Sequence, residues 1–206
     1  MKKSPLLLTI AAVGSLFLAS CGGTSEPTTE TTEEVAVETT EASIDAAAST
    51  VNWTGEMLGM YSHNGTVAVK EAKVTMAGDK VAGGNFVVDL STITPLDKNY
   101  DAAKGNTAEK LVGHLSSADF FDVANHPTAS FEITEVAEDG SSAKGKLTVR
   151  GITNEETVKN ITLADGTLNG TLTFDRTKYD VAWTHPVKEM LISNDIALVI
   201  ALKVAG

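Results

Sequence analysis

The stretch KLVGHLSSADFFDVANHPTASFEITEVAEDGSSAKGKLTVRGIT, Lys110 to Thr153, changes its hydrophobic period partway along and thereby decides the fold. In its first part Leu111 and Leu115 lie four apart, the spacing of one helical face, with Lys110 and His114 beside or opposite them. Asp119 and Asp122 then bracket Phe120 and Phe121, which puts two adjacent rings at a corner where at least one must face inward. After the break at Asn125-His126-Pro127 the period falls to two. Phe131 and Ile133 alternate with Ser130, Glu132 and Thr134; beyond a turn at Glu138-Asp139-Gly140-Ser141, Leu147 and Val149 alternate with Lys146, Thr148 and Arg150. Period-two runs on both sides of an Asp-Gly turn predict an antiparallel hairpin with one apolar face.

The alternation recurs on either side. Upstream, Val51 and Trp53 share a face in a strand starting at Thr50, and His63-Asn64-Gly65-Thr66 reads as a turn before Val67 and Val69. Gly78-Asp79 reads as another turn, before a strand from Lys80 to Leu90 in which Gly83-Gly84 predicts a bulge or barrel corner. Residues 91–106 have no sustained period and read as a long connection, a candidate lid or cavity rim, feeding a helix over 107–116. Downstream come Val158 to Leu163, an Asp165-Gly166 turn, Gly170 to Arg176, and a loop through Trp183-Thr184-His185-Pro186. The last strand, Asp195 to Val204, has Ile196, Leu198, Ile200 and Leu202 on one face and Ala197, Val199 and Ala201 on the other, so cover on both faces is expected. The fold class is all-β: an antiparallel barrel of about eight strands, with room for one elongated ligand and a short helix inserted near 107–116. Its inward row is Phe86 and Val88, Phe131 and Ile133, Leu147 and Val149, Leu172 and Phe174, then Ile196, Leu198 and Ile200.

Three motifs in order, Asp119-Phe120-Phe121-Asp122, His126-Pro127-Thr128-Ala129-Ser130-Phe131 and Leu147-Thr148-Val149-Arg150-Gly151-Ile152-Thr153, resemble the YceI-like family of bacterial lipid- or polyisoprenoid-binding proteins. The likeness extends weakly over roughly Thr50 to Val204. It implies a lipocalin-like barrel with a long apolar cavity and an isoprenoid or similar lipid as ligand, without saying which.

Charge and cysteine usage bound the remainder. The net charge is −11, but seven of the 27 acids lie in residues 22–49, which carry no Lys or Arg. With Lys2 and Lys3 set aside, 20 acids face 14 bases from Thr50 onward, and no basic stripe is available for nucleic acid. Residues 22–49, rich in Thr, Glu, Ala and Ser, read as a disordered tether spanning on the order of 30 Å. Lys2-Lys3, the apolar run Leu6 to Leu18 and Leu18-Ala19-Ser20-Cys21 read as a signal peptide over residues 1–20. Leu-Ala-Ser-Cys resembles a bacterial lipobox, in which the single cysteine, Cys21, is lipidated and anchors the chain; an ordinary secretory signal or a membrane anchor is the alternative. Gly22 after Cys21 resembles the sorting pattern for the outer membrane.

Catalytic and metal patterns are lacking. His63, His114, His126 and His185 form no HExxH or paired spacing, and the corner with Asp119, Asp122 and His126 reads as capping and turn chemistry before it reads as a metal site. No Gly-x-Ser-x-Gly elbow occurs, and no cofactor is implied. Arg150 and Arg176 are the only arginines. Arg150 reads as a solvated strand end. Arg176 reads either as the structural partner of Asp175 or Asp180, or as an inward guanidinium that meets a ligand's polar head group. The function expected is non-enzymatic binding, carriage or storage of a long apolar lipid at the cell envelope. A lipid-modifying enzyme using the same cavity, and a filled barrel serving interactions, are the alternatives.

Overall fold

The computed structural model describes residues 38–184 and 191–205. The described residues form β1 (Thr40–Ala42), β2 (Ile44–Met57), β3 (Tyr61–Ala77), β4 (Lys80–Pro95), α1 (Ala108–Ser116), β5 (Thr128–Val136), β6 (Ala143–Val149), β7 (Ile152–Ala164), β8 (Thr167–Asp175) and β9 (Ile192–Val204). Neighbours run antiparallel in the order β3-β2-β9-β8-β7-β6-β5-β4, and β4 pairs back onto β3, closing eight strands into a barrel. Short β1 extends along β3 past the point where β2 leaves it, Thr40 opposite Met76 and Ala42 opposite Val74. Alternation sends one residue in two inward, and Val51, Val69, Phe131, Val149, Leu172 and Ile200 are buried in one continuous core. The fold is the antiparallel lipocalin-like barrel with one short helix that the alternation and the resemblance imply.

Several local readings change. The β2–β3 turn is Leu58-Gly59-Met60, with Gly59 at φ +73°, whereas His63-Asn64-Gly65-Thr66 lies inside β3. Gly65 is the cross-strand partner of Trp53, and a Cβ there would stand 2.6 Å from the indole; the glycine admits a ring rather than making a turn. β4 runs on to Pro95 because Thr92 Oγ1 accepts the Ala68 N–H at 2.8 Å across a register shift, a bulge that hides the strand's period. The irregularity expected at Gly83-Gly84 is present as a shift between Gly83 and Val81, with Gly84 at φ +136°. β6 and β7 are joined by Arg150 and Gly151, both left-handed at φ +50° and +74°, the requirement of a tight two-residue hairpin.

Residues 40–42 and 44–49, expected to belong to a disordered tether, are strand. Ile44 and Ala46 pack against the core, and buried Ser49 donates to the Asp45 carbonyl at 2.6 Å while accepting the Lys203 N–H at 2.8 Å. Backbone pairing with β3 and β9 supplies what this weakly apolar segment lacks. The signal peptide, Cys21, residues 22–37 and His185-Pro186 lie outside the described residues. The outer face of β9 is not covered as expected: Ala197 is exposed and Val199 is 51% exposed. Small apolar side chains scattered on a surface need no cover.

Candidate functional site

The turns of an up-and-down barrel alternate between its two ends, and the ends differ. The end carrying the β2–β3 turn, the β6–β7 turn and α1 holds a cavity of about 280 Å³, whereas the other end holds one of about 60 Å³. α1 starts at Thr107, whose side chain accepts the Lys110 N–H, and it turns Leu111, His114 and Leu115 onto the large cavity. Phe120, Phe121 and Trp183 complete that side, and the cavity reaches the rim at Met57, Tyr61, His63 and Ile192. Around this rim Leu58, Met60, Leu96 and Leu191 are exposed.

The single wall read from the sequence is divided. Phe86, Val88, Leu147, Val149, Leu172, Phe174, Ile196 and Leu198 line the large cavity; Phe131, Ile133 and Ile200 line the small one, which Phe86 also touches. Phe86, which touches both, marks the division, and Phe131 packs on it from the filled side: Phe131 is 1% exposed, its ring centroid is 5.9 Å from that of Phe86, and a Cβ on Gly145 would stand 2.5 Å from it. Glycine on β6 thus lets the Phe131 ring lie flat against the wall and fill the barrel below Leu147.

Polar groups gather at the α1 end. Arg176 is inward, 2% exposed, and in the cavity lining. Its Nε donates to the Ser193 carbonyl at 3.0 Å and its Nη1 to the carbonyls of Val181 and Trp183. Neither suggested carboxylate pairs with it: Asp175 accepts from the Thr177 N–H and hydroxyl, and Asp180 lies 3.7 Å from Arg150. Burial pushes the Arg176 pKa down, partly opposed by the charge of Asp175. His114 also faces the cavity, its ring edge-on to Trp183 at 4.4 Å and to Phe120 at 5.4 Å. Its Nε2 is buried without a hydrogen-bond partner among the described residues, and burial pushes the imidazole pKa down against the pull of Asp119.

At the rim His63 Nδ1 lies 3.2 Å from both oxygens of Asp97, and the Tyr100 hydroxyl donates to the same carboxylate at 3.2 Å. Burial opposes ionisation of Asp97, but the N–H groups of Asn99 and Asn64 and the His63 ring outweigh it and hold the carboxyl below its ordinary range. Burial, with the Asp97 charge beside it, pushes Tyr100 up to about 12. Part of the expected rim loop, residues 97–100, therefore does stand at the rim.

Other singled-out residues have structural tasks. Arg150 is no solvated strand end: its Nη1 donates to the carbonyls of Ala118 and Phe120 and pins the aromatic corner in place. Asp122, left-handed at φ +49°, accepts from Asn125 Nδ2, and its carbonyl accepts the His126 N–H at 2.9 Å. Among the described residues no group of three or more His, Cys, Asp or Glu could hold a metal ion. Sequence reasoning missed Leu111, His114, Leu115, Trp53 and Trp183 as lining. The i, i+3, i+4 spacing of the first three and the shared face of Trp53 with Val51 were the available signals; nothing local marked Trp183.

An eight-stranded antiparallel barrel, hollow under a single helix and apolar inside, is the architecture of a ligand-binding β-barrel. The chain belongs to the YceI-like family, whose domain model matches residues 43–204. Among curated proteins it is 43% identical over 70 residues to a UPF0312 protein of Pseudomonas paraeruginosa, covering 33% of this chain and 36% of that one. It is 30% identical over 112 residues to a UPF0312 protein of Pseudomonas putida, covering 53% and 54%. The matches thus span between about a third and a half of these relatives' lengths. Among solved structures, BcnA of Burkholderia cenocepacia superimposes with a TM-score of 0.58 at 19% identity, over 79% of this chain and 99% of that one, a likeness of fold. A polyisoprenoid binding domain from Saccharophagus degradans gives a TM-score of 0.46 at 12% identity, over 80% and 98%.

Proposed function

We propose that the barrel is a non-enzymatic carrier or store for an apolar lipid of isoprenoid or quinone type, working at the bacterial cell envelope. The observation that carries this reading is the cavity of about 280 Å³, walled by Val, Leu, Ile and Phe and reaching an apolar rim. Burying a chain there gains about 25 cal/mol per Å² of apolar surface. The volume falls just below the roughly 300–1,000 Å³ typical of ligand pockets, so a long chain seats one end and its remainder leaves past Met57 and Ile192. Lipidation of Cys21 would hold the protein at the outer membrane, on a tether that ends before β1. Native mass spectrometry of protein purified from its own host tests the proposal: a bound lipid in stoichiometric amount is expected. Protein that is empty as isolated and takes up no isoprenoid alcohol or quinone from solution overturns it.

The His63–Asp97 pair favours one competing reading, a hydrolase or isomerase working on a lipid at the rim, with His63 as general base and Asp97 orienting it. Turnover of a bound lipid that disappears in His63→Gln would establish that reading; a lipid recovered unaltered from both proteins removes it.

A further inference from the structure

Two polar groups with hydrogen-bonding capacity left over share one corner of a mostly apolar cavity, whose lining also includes Glu56, His63, Ser193 and Asp195. Arg176 and His114 flank the same two residues: the guanidinium carbon stands 5.9 Å from the Phe120 centroid and Nη1 bonds the Trp183 carbonyl at 3.1 Å, while the His114 ring packs on both side chains. Among the described residues the guanidinium is surrounded by backbone carbonyls, has no carboxylate in ion-pair contact, and leaves its Nη2 without a hydrogen-bond partner. His114 Nε2 is likewise buried and unpartnered. A buried cation without a counter-charge and a buried ring nitrogen without a partner are each costly, and both costs fall away when one oxygen-bearing anion bridges them. Burial keeps the imidazole neutral near pH 7, so its Nε2–H tautomer is available as a donor beside the Arg176 cation.

We propose that this corner is an anion subsite, and that the barrel takes a single-tailed carboxylic acid, its two carboxylate oxygens received by Arg176 Nη2 and His114 Nε2 and its tail lying along Val149, Leu172 and Leu147 toward Phe86. The inference rests on the apolar-ligand reading above and adds the chemistry of the head. Two donors match the two oxygens of a planar carboxylate; a phosphate dianion would leave oxygens facing the apolar wall. No alcohol supplies the missing charge.

Titration calorimetry of the full chain, stripped of co-purified lipid, with sub-micellar dodecanoate, dodecanol and dodecyl phosphate tests this. Dodecanoate is expected to bind at least tenfold more tightly than either of the others. Arg176→Gln should abolish the preference. Because that residue also caps three carbonyls, His114→Leu is the second variant: it should fold, raise the melting midpoint of the empty protein by removing an unsatisfied nitrogen, and reduce the ratio of dodecanoate to dodecanol affinity several-fold. Equal affinity for dodecanoate and dodecanol overturns the anion subsite and leaves the apolar carrier standing. Tighter dodecyl phosphate overturns the carboxylate assignment, and binding of none of the three overturns the subsite, while the carrier reading stands or falls on uptake of an isoprenoid alcohol or quinone.

Discussion

The two ends of this barrel are built from the same alternating strands, yet one is hollow and the other nearly full. At the α1 end the inward side chains stand around about 280 Å³; at the other, Phe131, lying over Gly145, leaves about 60 Å³. Part of the difference lies in the Phe131 ring and in Gly145 on the neighbouring strand, where a side chain would collide with it. Hollow and filled barrel therefore share a pattern and differ in volume, and substitutions should separate the two ends by what each can tolerate.

The largest effect should follow Phe131→Ala. Removing the ring from the filled end should cost about 3–5 kcal/mol in urea unfolding, the range for an aromatic deleted from a packed core. It should also join the two cavities, so that a sixteen-carbon chain gains affinity over a twelve-carbon chain. An unchanged midpoint would mean that the Phe131 end is loosely packed after all.

Enlargement comes next and should divide the ends cleanly. Ile200→Phe, in the filled end, should over-pack and cost about 1–3 kcal/mol. Val149→Trp and Leu172→Trp, in the hollow end, should cost less than about 1 kcal/mol and abolish lipid uptake, because the ring takes the ligand's space. Calorimetry on lipid-free protein reads the midpoint and lipid titration reads the binding. Equal losses of midpoint at both ends would show the cavity to be unavailable.

Acid should act through the hollow end first. Burial holds the pKa of His114 below its unfolded value, so the folded state binds fewer protons and this group's contribution is lost as pH falls below about 6.5. Asp97, opposed by burial but held down by its hydrogen bonds, contributes stability that is full above about 4 and declines below it, a window shared with Asp89, Asp139 and Asp175. Urea midpoints at pH 8, 6 and 5 should fall with acidification, and His114→Leu should flatten the upper part of that fall. The smallest effect belongs to the outer wall: Val199→Thr should change stability by no more than about 0.5 kcal/mol in the same assay, since the side chain is 51% exposed.

The barrel is legible in local pattern alone. Period two in runs such as Phe131/Ile133 and Leu147/Val149, punctuated by Gly78, Gly140 and Gly166 at positive φ, is a local consequence of side chains pointing to opposite faces, and it placed all eleven wall residues inward along with helix α1. Local pattern also misled where a residue served a distant partner. Asn64-Gly65 imitates a turn but receives the Trp53 ring, and Arg150 imitates a strand end but makes a turn and holds the Phe120 corner. Where the space lies and what faces it are set by the assembled walls. Whether the ring of Phe131 fills the barrel depends on Gly145 on the neighbouring strand, and whether His114 and Arg176 meet depends on a helix and a strand end more than sixty residues apart closing on Phe120 and Trp183. Periodicity fixes the face a side chain takes; cavity volume and the pairing of buried polar groups depend on all the walls at once, and no single strand contains that information.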